Sequence, residues 1–529
     1  MQTSFVAKAP LDPVNRDDAT ISRSTVAHLA LRAAKWNYIG VVFRVVIQLI
    51  AQIVLARFLG PAEFGYYALC FMVVGVGYLL AEMGLSSALI QTRSLTSNDI
   101  QRVWTLLVIS GLLWAGLLAA VAEQLALLLG NPEAAAYLRF AAIPLFLQVI
   151  ASVALALLRK SLDFKRIQLA QLTGMIVGQV FVGFTLAVIL HTAWAMLWAW
   201  LVQLLISWIL MFTTVRHRLI PAWPQGINHL SWFGARALTT NIANWLIENL
   251  DNLLVARFFG ARSLGFYAVS YNLVRYPTNH LVTTLQSVLF PTSAAIQNDP
   301  SALRAAYLAT LSLVAVVTVP VFISAAILAE PLILVLYGQE WKEAIAMMQP
   351  LALAMPLHAM TAVSGPLLWG MNRVGTESLL QWFTVFCFLG LVIVLGLATP
   401  VQLAWVVFGV YLIRAFLLVL TVMRILDLRL GEVIGCFRGP LVLACVAAGS
   451  AVLAVAFANA HYALIQIGLA IVIAGSLSFA LFWLAPGWVL APGLARVLRR
   501  FSGRLPQSVA SRIEAIMREN EHRTNREQR

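Results

Sequence analysis

From Trp36 to Leu484 the chain is a succession of apolar stretches long enough to cross a membrane, joined by short connections. Such stretches leave few folding options. Hydrocarbon offers no partner to a backbone N–H or C=O, so a spanning segment must be a helix or part of a closed barrel. Barrel strands alternate apolar and polar residues in segments of about ten, and the sequence contains no such segments. A spanning helix needs about 20 apolar residues, which these stretches supply. Only 11% of residues are charged and 61% are hydrophobic, whereas soluble domains carry about 25% charged residues. The expected fold class is an all-α polytopic membrane protein.

Fourteen spans can be laid out, at 36–57, 64–91, 103–129, 135–158, 167–190, 194–215, 237–257, 264–291, 305–329, 344–370, 376–398, 401–423, 439–459 and 463–484. With the N-terminus taken as cytoplasmic, the inner segments hold 28 of the 36 Lys and Arg residues. The outer connections hold four: Arg57, Arg257, Arg262 and Lys342. This is the asymmetry of the positive-inside rule. It accounts for the net charge of +14 without nucleic acid. The expected division is a cytoplasmic segment (1–35), a six-helix lobe (36–215), a cytoplasmic linker (216–236), a second six-helix lobe (237–423), two further transmembrane helices (424–484) and a basic cytoplasmic tail (485–529). The first span reads as an uncleaved first helix, and the start of the tail, "ARVLRRFSGR", suits anionic headgroups.

Some chemistry is not expected. Cys70, Cys387, Cys436 and Cys445 form no CxxC pair and read as small buried hydrophobes rather than a disulfide or a metal site. Neither a Walker loop nor an HExxH spacing occurs, which argues against an ATP-driven pump and a zinc enzyme. The longest outer connection, Glu330 to Lys342, is too short for a catalytic domain. Neither a cofactor nor a metal is expected.

One phrase is written twice. "VLARFLGPAEFGYYAL" (54–69) returns as "LVARFFGARSLGFYAV" (254–269), with Ala56, Arg57, Phe58, Gly60, Gly65, Tyr67 and Ala68 recurring at an offset of 200. Six helices separate the copies, an even number, so both halves face the same way. That implies two parallel lobes about a pseudo-twofold axis along the membrane normal, an architecture of secondary transporters with substrate between the halves. The phrase itself reads as hairpin architecture. Arg57 and Arg257 complement helix C-terminal dipoles and reach headgroups, Gly60 and Gly260 stop the helices, and Trp341 of a later turn anchors at the interface.

The same offset exposes two polar stripes. The first span carries Arg44, Gln48 and Gln52, and the seventh carries Asn244, Glu248 and Asn252. Steps of four hold each set on one helical face; Asn241 and Asp251 extend the second. Charges inside spans cost about 2.5–3.5 kcal/mol each at mid-bilayer on insertion scales, so Arg44, Glu82, Glu248, Asp251, Arg275 and Arg414 must pair or face water. Arg275 shares its face with Tyr271 and Asn279, beside Pro277. A guanidinium forks onto phosphate oxygens, which makes Arg44 and Arg275 candidates for an anionic headgroup. Glu248 and Asp251 could neutralise them or carry protons or Na⁺. Glu82, His280, His358 and Arg414 are candidates for gating or ion coupling, with structural pairing the alternative for each. Pro350, Pro356 and Pro366 make the tenth span the expected place of bending.

Taken in order, "LARFLGPAEFGYYAL", "AEMGLSSALIQ", "LLRKSLDFKR", "NLDNLLVARFFGARSLGFYAVSYNLVRYP", "SVLFPTSAAIQNDP" and "AEPLILVLYGQEW" resemble the bacterial oligosaccharide flippases and polysaccharide exporters. The resemblance runs from about Trp36 to Arg424. It is to the lipopolysaccharide, colanic acid and exopolysaccharide branch of the multidrug/oligosaccharidyl-lipid/polysaccharide exporter superfamily. It implies a non-enzymatic flippase of the bacterial inner membrane, with both termini cytoplasmic. The implied cargo is an undecaprenyl-diphosphate-linked oligosaccharide, moved by alternating access among membrane lipids. Polysaccharide polymerase and chain-length machinery are the implied partners. Cavity charges vary within the family, so Arg44, Arg275 and Glu248 rest on the stripes alone. The rival readings are a cation-coupled drug antiporter of the same superfamily and a membrane polysaccharide polymerase or ligase.

Overall fold

The computed structural model describes residues 23–92, 95–216, 219–222, 228–457 and 463–484. Among them every regular element is helical. The expected segment 1–35 is described only from Arg23, and the tail 485–529 lies outside the described residues.

The first half begins with α1 (Arg23–Glu82), which holds two crossings. Gly60 interrupts it with φ 75° and ψ 173°, a conformation open to glycine because it lacks a Cβ, and Pro61 restarts the helix. Met83 and Gly84, both with positive φ, separate α1 from the short α2 (Leu85–Gln91). Then come α3 (Ser97–Leu128), α4 (Ala135–Lys160) and α5 (Phe164–Met175), which runs through a π-helical stretch, Ile176–Gly183, into α6 (Phe184–Leu190). Gly174 and Gly178 let this helix lie directly against α7 (Trp194–Val215): a Cβ on Gly178 would fall 2.5 Å from the Ala199 carbonyl oxygen. Small residues allow such close approach between membrane helices.

The second half repeats the plan. A break at Gly260 (φ 79°, ψ 175°) divides α8 (Asn228–Ala295) into two crossings. It is followed by α9 (Pro300–Ile327), α10 (Ala329–Leu336), α11 (Ala344–Gly370), α12 (Val374–Leu395) and α13 (Pro400–Leu426). Two added helices, α14 (Leu430–Phe457) and α15 (Ala463–Leu484), follow. Among the described residues, eleven helices are long and apolar enough to cross a membrane. The first of these contains two crossings, and α8, whose polar stripe lowers its hydropathy, adds the seventh and eighth. The chain is a multi-pass membrane protein.

Two helices begin ahead of the expected spans: α1 at Arg23, before residue 36, and α8 at Asn228, before residue 237. Both extensions contain Ala, Leu and Arg, which favour helix whether or not lipid surrounds them. The helix with three internal prolines, α11, lies at the centre of the second lobe, 83% buried over its most apolar window, and stays continuous. Only 6% of the corresponding window of α15 is buried, which places that helix at the periphery.

Candidate functional site

Most of the expected polar residues converge in the second lobe. Arg275, on the second arm of α8, donates through Nη2 to the Glu248 carboxylate and through Nη1 to the Glu248 carbonyl at 3.3 Å. Its guanidinium lies over the Tyr271 ring, 5.1 Å from the centroid. One face of the cation is thus held by an aromatic ring and its edge by a carboxylate. The Arg275 side chain is 16% exposed and that of Glu248 41%, so the pair has a buried end and an open end.

Asp251, one turn on from Glu248, is almost fully buried and takes no arginine. Its carboxylate accepts from the Tyr267 hydroxyl at 2.8 Å, and from the Asn252 backbone and side-chain N–H at 2.8 and 3.2 Å. The Tyr271 hydroxyl meets that of Tyr411 on α13 at 3.2 Å. His358 on α11 bonds Asn279 through Nε2 at 3.2 Å and stands edge-on to Tyr411, 5.2 Å between centroids. Arg414, one turn beyond Tyr411, is buried as well.

The first lobe is built from weaker groups. Arg44 donates to the side-chain oxygen of Gln171 on α5. Gln48 reaches across to Tyr276 of α8, and Gln52 is buried with no partner for its amide nitrogen among the described residues. His280 lies near enough to Arg44 to feel its charge. Asn244 is half-buried and Asn241 exposed. Glu82 lies apart from both sets. Its two oxygens accept from the backbone N–H groups of Gly84 (2.9 Å) and Ser86 (2.5 Å), which ties down the break between α1 and α2.

The doubled phrase closes one end of the space between the lobes. Gly65 and Gly265 cross each other. A Cβ on Gly65 would fall 1.8 Å from the Ala261 carbonyl oxygen, and one on Gly265 1.8 Å from that of Pro61. Phe64 of the first half and Phe266 of the second both meet Trp341 edge to face, at 5.8 and 5.9 Å. One expectation changes here. Trp341 is 1% exposed, a core residue of this seam rather than an interfacial anchor. Arg57, an exposed side chain, donates to the carbonyls of Val335 and Leu336, which end α10. The Asn131 amide, also of the first half, donates to the Ala256 carbonyl at 2.8 Å. In both cases an orphan helix-end carbonyl of one half is satisfied by the other.

Reading the sequence missed Gln171, Tyr267 and Tyr411, the partners of the stripe residues. It also missed Glu377. That carboxylate is 5% exposed and accepts from the Trp369 indole at 2.9 Å and the Gln381 amide at 2.6 Å. The signal was a lone Glu at the start of a span, which resembles a solvated helix end.

Residues 54–346 match the family described as polysaccharide biosynthesis protein. The lipopolysaccharide biosynthesis protein WzxC of Escherichia coli (strain K12) is 25% identical over 379 residues, 69% of this chain and 75% of its own length. The succinoglycan biosynthesis transport protein ExoT of Rhizobium meliloti (strain 1021) is 27% identical over 372 residues, covering 69% and 73%. In fold, the chain is similar to the lipid II flippase MurJ in an inward closed conformation. The TM-score is 0.69 at 14% identity, over 84% of this chain and 98% of that one. An inward-facing multidrug resistance transporter of the MATE family is similar at TM-score 0.59 and 15% identity, over 73% and 95%. The family match takes in more than half of the sequence and spans both copies of the doubled phrase: the chain belongs to the polysaccharide biosynthesis protein family, the polysaccharide exporters.

Proposed function

We propose that the protein is a flippase that carries undecaprenyl-diphosphate-linked oligosaccharide units across the bacterial inner membrane for assembly of a surface polysaccharide. Both termini lie in the cytoplasm, and the cycle is alternating access between the two lobes. The observation that carries this reading is the clamp of Arg275 by Glu248 over Tyr271, with Arg44 on the facing stripe. A diphosphate would take Arg275 from Glu248, and the guanidinium fork would meet its oxygens in exchange. A cavity lined by guanidinium, carboxamide and tyrosine hydroxyl groups suits a diphosphate and sugars better than a cationic drug. The likeness to WzxC, ExoT and MurJ supports the same class of cargo.

Deletion of the gene tests the reading. Surface polymer should be lost while single lipid-linked units accumulate facing the cytoplasm. Accumulation on the periplasmic face would instead point to a polymerase. Arg44→Ala and Arg275→Ala should each reduce export at least tenfold without loss of membrane insertion, since a charge-assisted hydrogen bond contributes about 1.5–3 kcal/mol. Wild-type export from both variants would sink the headgroup assignment.

A further inference from the structure

Arg414 differs from the other charged side chains within the spans. Arg44 donates to Gln171, Arg275 grips Glu248, Glu82 holds backbone N–H groups, and Asp251 accepts from Tyr267. Arg414, halfway along α13 and 9% exposed, takes part in no ion pair among the described residues. Its buried Nε has no acceptor there either. Guanidinium cannot shed its proton in a protein, so the charge persists in a side chain that pairs with no carboxylate among the described residues. An uncompensated buried charge is strongly destabilising.

The groups around it are short of negative charge too. His358, 8% exposed on α11, uses Nε2 toward Asn279 and leaves a buried Nδ1 without a partner among the described residues. Its ring touches Tyr411, and the Arg414 charge acts on both rings. The Tyr411 hydroxyl meets that of Tyr271. The carboxylates of this region gather at the other end, Glu248 on Arg275 and Asp251 on Tyr267. What the Arg414 end lacks is an anion.

We propose that Arg414, with His358 and Tyr411, forms an anion-binding position inside the second lobe that takes a phosphate-type oxyanion. Arg414 supplies a fork for two oxygens, and His358 donates from Nδ1 when the Asn279 side chain offers its amide N–H, in place of its oxygen, to Nε2. The position adjoins the Arg275 clamp through the Tyr271–Tyr411 pair and through Asn279, which bonds His358. It rests on the flippase reading for its natural occupant, a lipid-linked diphosphate; free inorganic phosphate has the same chemistry.

The test is thermal unfolding of the full chain in detergent, with no ligand, with inorganic phosphate, and with a prenyl diphosphate. Wild type is compared with Arg414→Met and Arg414→Lys. Arg414→Met removes an unpaired buried charge, so the ligand-free protein should melt above wild type. It should also lose the rise in melting temperature that the anion gives wild type. Arg414→Lys keeps the charge without the fork, and its affinity for the anion should fall about tenfold. A rise with prenyl diphosphate assigns the position to the lipid. A rise with phosphate alone keeps the anion position and counts against the flippase reading. The proposal is overturned if wild type responds to neither anion, or if both variants respond as wild type does. It is overturned equally if Arg414→Met melts below wild type and keeps the anion response, because Arg414 would then be a structural cation. Should Arg414→Met fail to fold, equal affinity of Arg414→Lys and wild type has the same consequence.

Discussion

Aligned at an offset of 200 residues, the two lobes share their glycine breaks and differ in charge. Gly60 and Gly260 break their helices at φ 75° and 79°, and Gly65 and Gly265 meet at the crossing. Where the second lobe has Glu248, Asp251, Tyr271 and Arg275, however, the first has Gln48, Ala51, Phe71 and Gly75. The vacant place at Gly75 is used: a Cβ there would fall 3.1 Å from the indole nitrogen of Trp245, which the second lobe leans across. Duplication therefore supplied a common frame and seam, while Glu248, Asp251 and Arg275 were loaded into the second half and Arg44 into the first. The two stripes differ through their side chains.

The frame should respond symmetrically and most severely. At both crossing glycines the atom in the way is a backbone carbonyl, which cannot swing aside. Gly65→Ala and Gly265→Ala should each cost about 3 kcal/mol or more, the upper range for overpacking. Gly409→Ala, with nothing within 4 Å of the added methyl, should stay within about 0.5 kcal/mol of wild type. Thermal unfolding of the detergent-solubilised protein measures all three. A large loss in only one half would break the symmetry of the seam.

The charges should respond in one lobe only, and unequally within it. Glu248→Ala strands the more buried partner, Arg275, and should cost about 2–3 kcal/mol. Arg275→Ala leaves a carboxylate that is already 41% exposed, so water replaces the arginine at a cost of about 1 kcal/mol. Gln48→Ala, at the matching place in the first lobe, loses a neutral hydrogen bond worth about 1 kcal/mol. The ordering of the two second-lobe variants is the sensitive readout, and a reversed order would mean that Glu248, not Arg275, is the group held away from water.

A finer contrast comes from the repeated tyrosines. Tyr267 donates to buried Asp251, whereas the residue matching Asp251 in the first lobe is Ala51. Tyr267→Phe should cost about 1–3 kcal/mol, because it leaves a buried carboxylate short of a donor. Tyr67→Phe should change stability by less than about 0.5 kcal/mol. Equal losses would show that the two tyrosines hold the seam in the same way and that Asp251 adds nothing.

These contrasts also mark what the sequence made legible. Spans, parallel lobes and stripes could all be read because each repeats at a fixed interval: about 20 apolar residues, 200 positions, four residues. Partners do not repeat. Gln171 lies 127 residues from Arg44, and Tyr411 lies 140 from Tyr271. A helical period names a face and says nothing of which helix covers it. Arg57 and Trp341 show the same limit from the other side. At the end of an isolated span, a cation and an indole suit headgroups. Only the packing of one half on the other gives Arg57 the carbonyls of α10 and buries Trp341 against Phe64 and Phe266.

The smallest expected difference lies at the start of the third helix of each lobe. In the first, Thr96 caps α3 in a reciprocal box. Its hydroxyl accepts from the Asp99 N–H at 3.1 Å, and the Asp99 carboxylate accepts from the Thr96 N–H at 3.0 Å. In the second, Asp299, the counterpart of Asp99, caps α9 alone, accepting from the Ala302 and Ser301 N–H groups at 3.0 Å and from the Ser301 hydroxyl at 2.7 Å. The Ala302 N–H, followed by the Ser301 hydroxyl, holds the Asp299 carboxyl below its ordinary range. A depressed carboxyl contributes its stability above the ordinary carboxylate range and loses it as pH falls through the folded value. The α9 cap should therefore weaken in acid. Hydrogen exchange of the Ser301 and Ala302 amides, corrected for the intrinsic rate, should lose protection there in wild type. In Asp299→Asn, which keeps an acceptor that does not titrate, protection should not change with pH. If the acid loss persists in Asp299→Asn, the carboxyl is not its source, and the two lobes are capped alike.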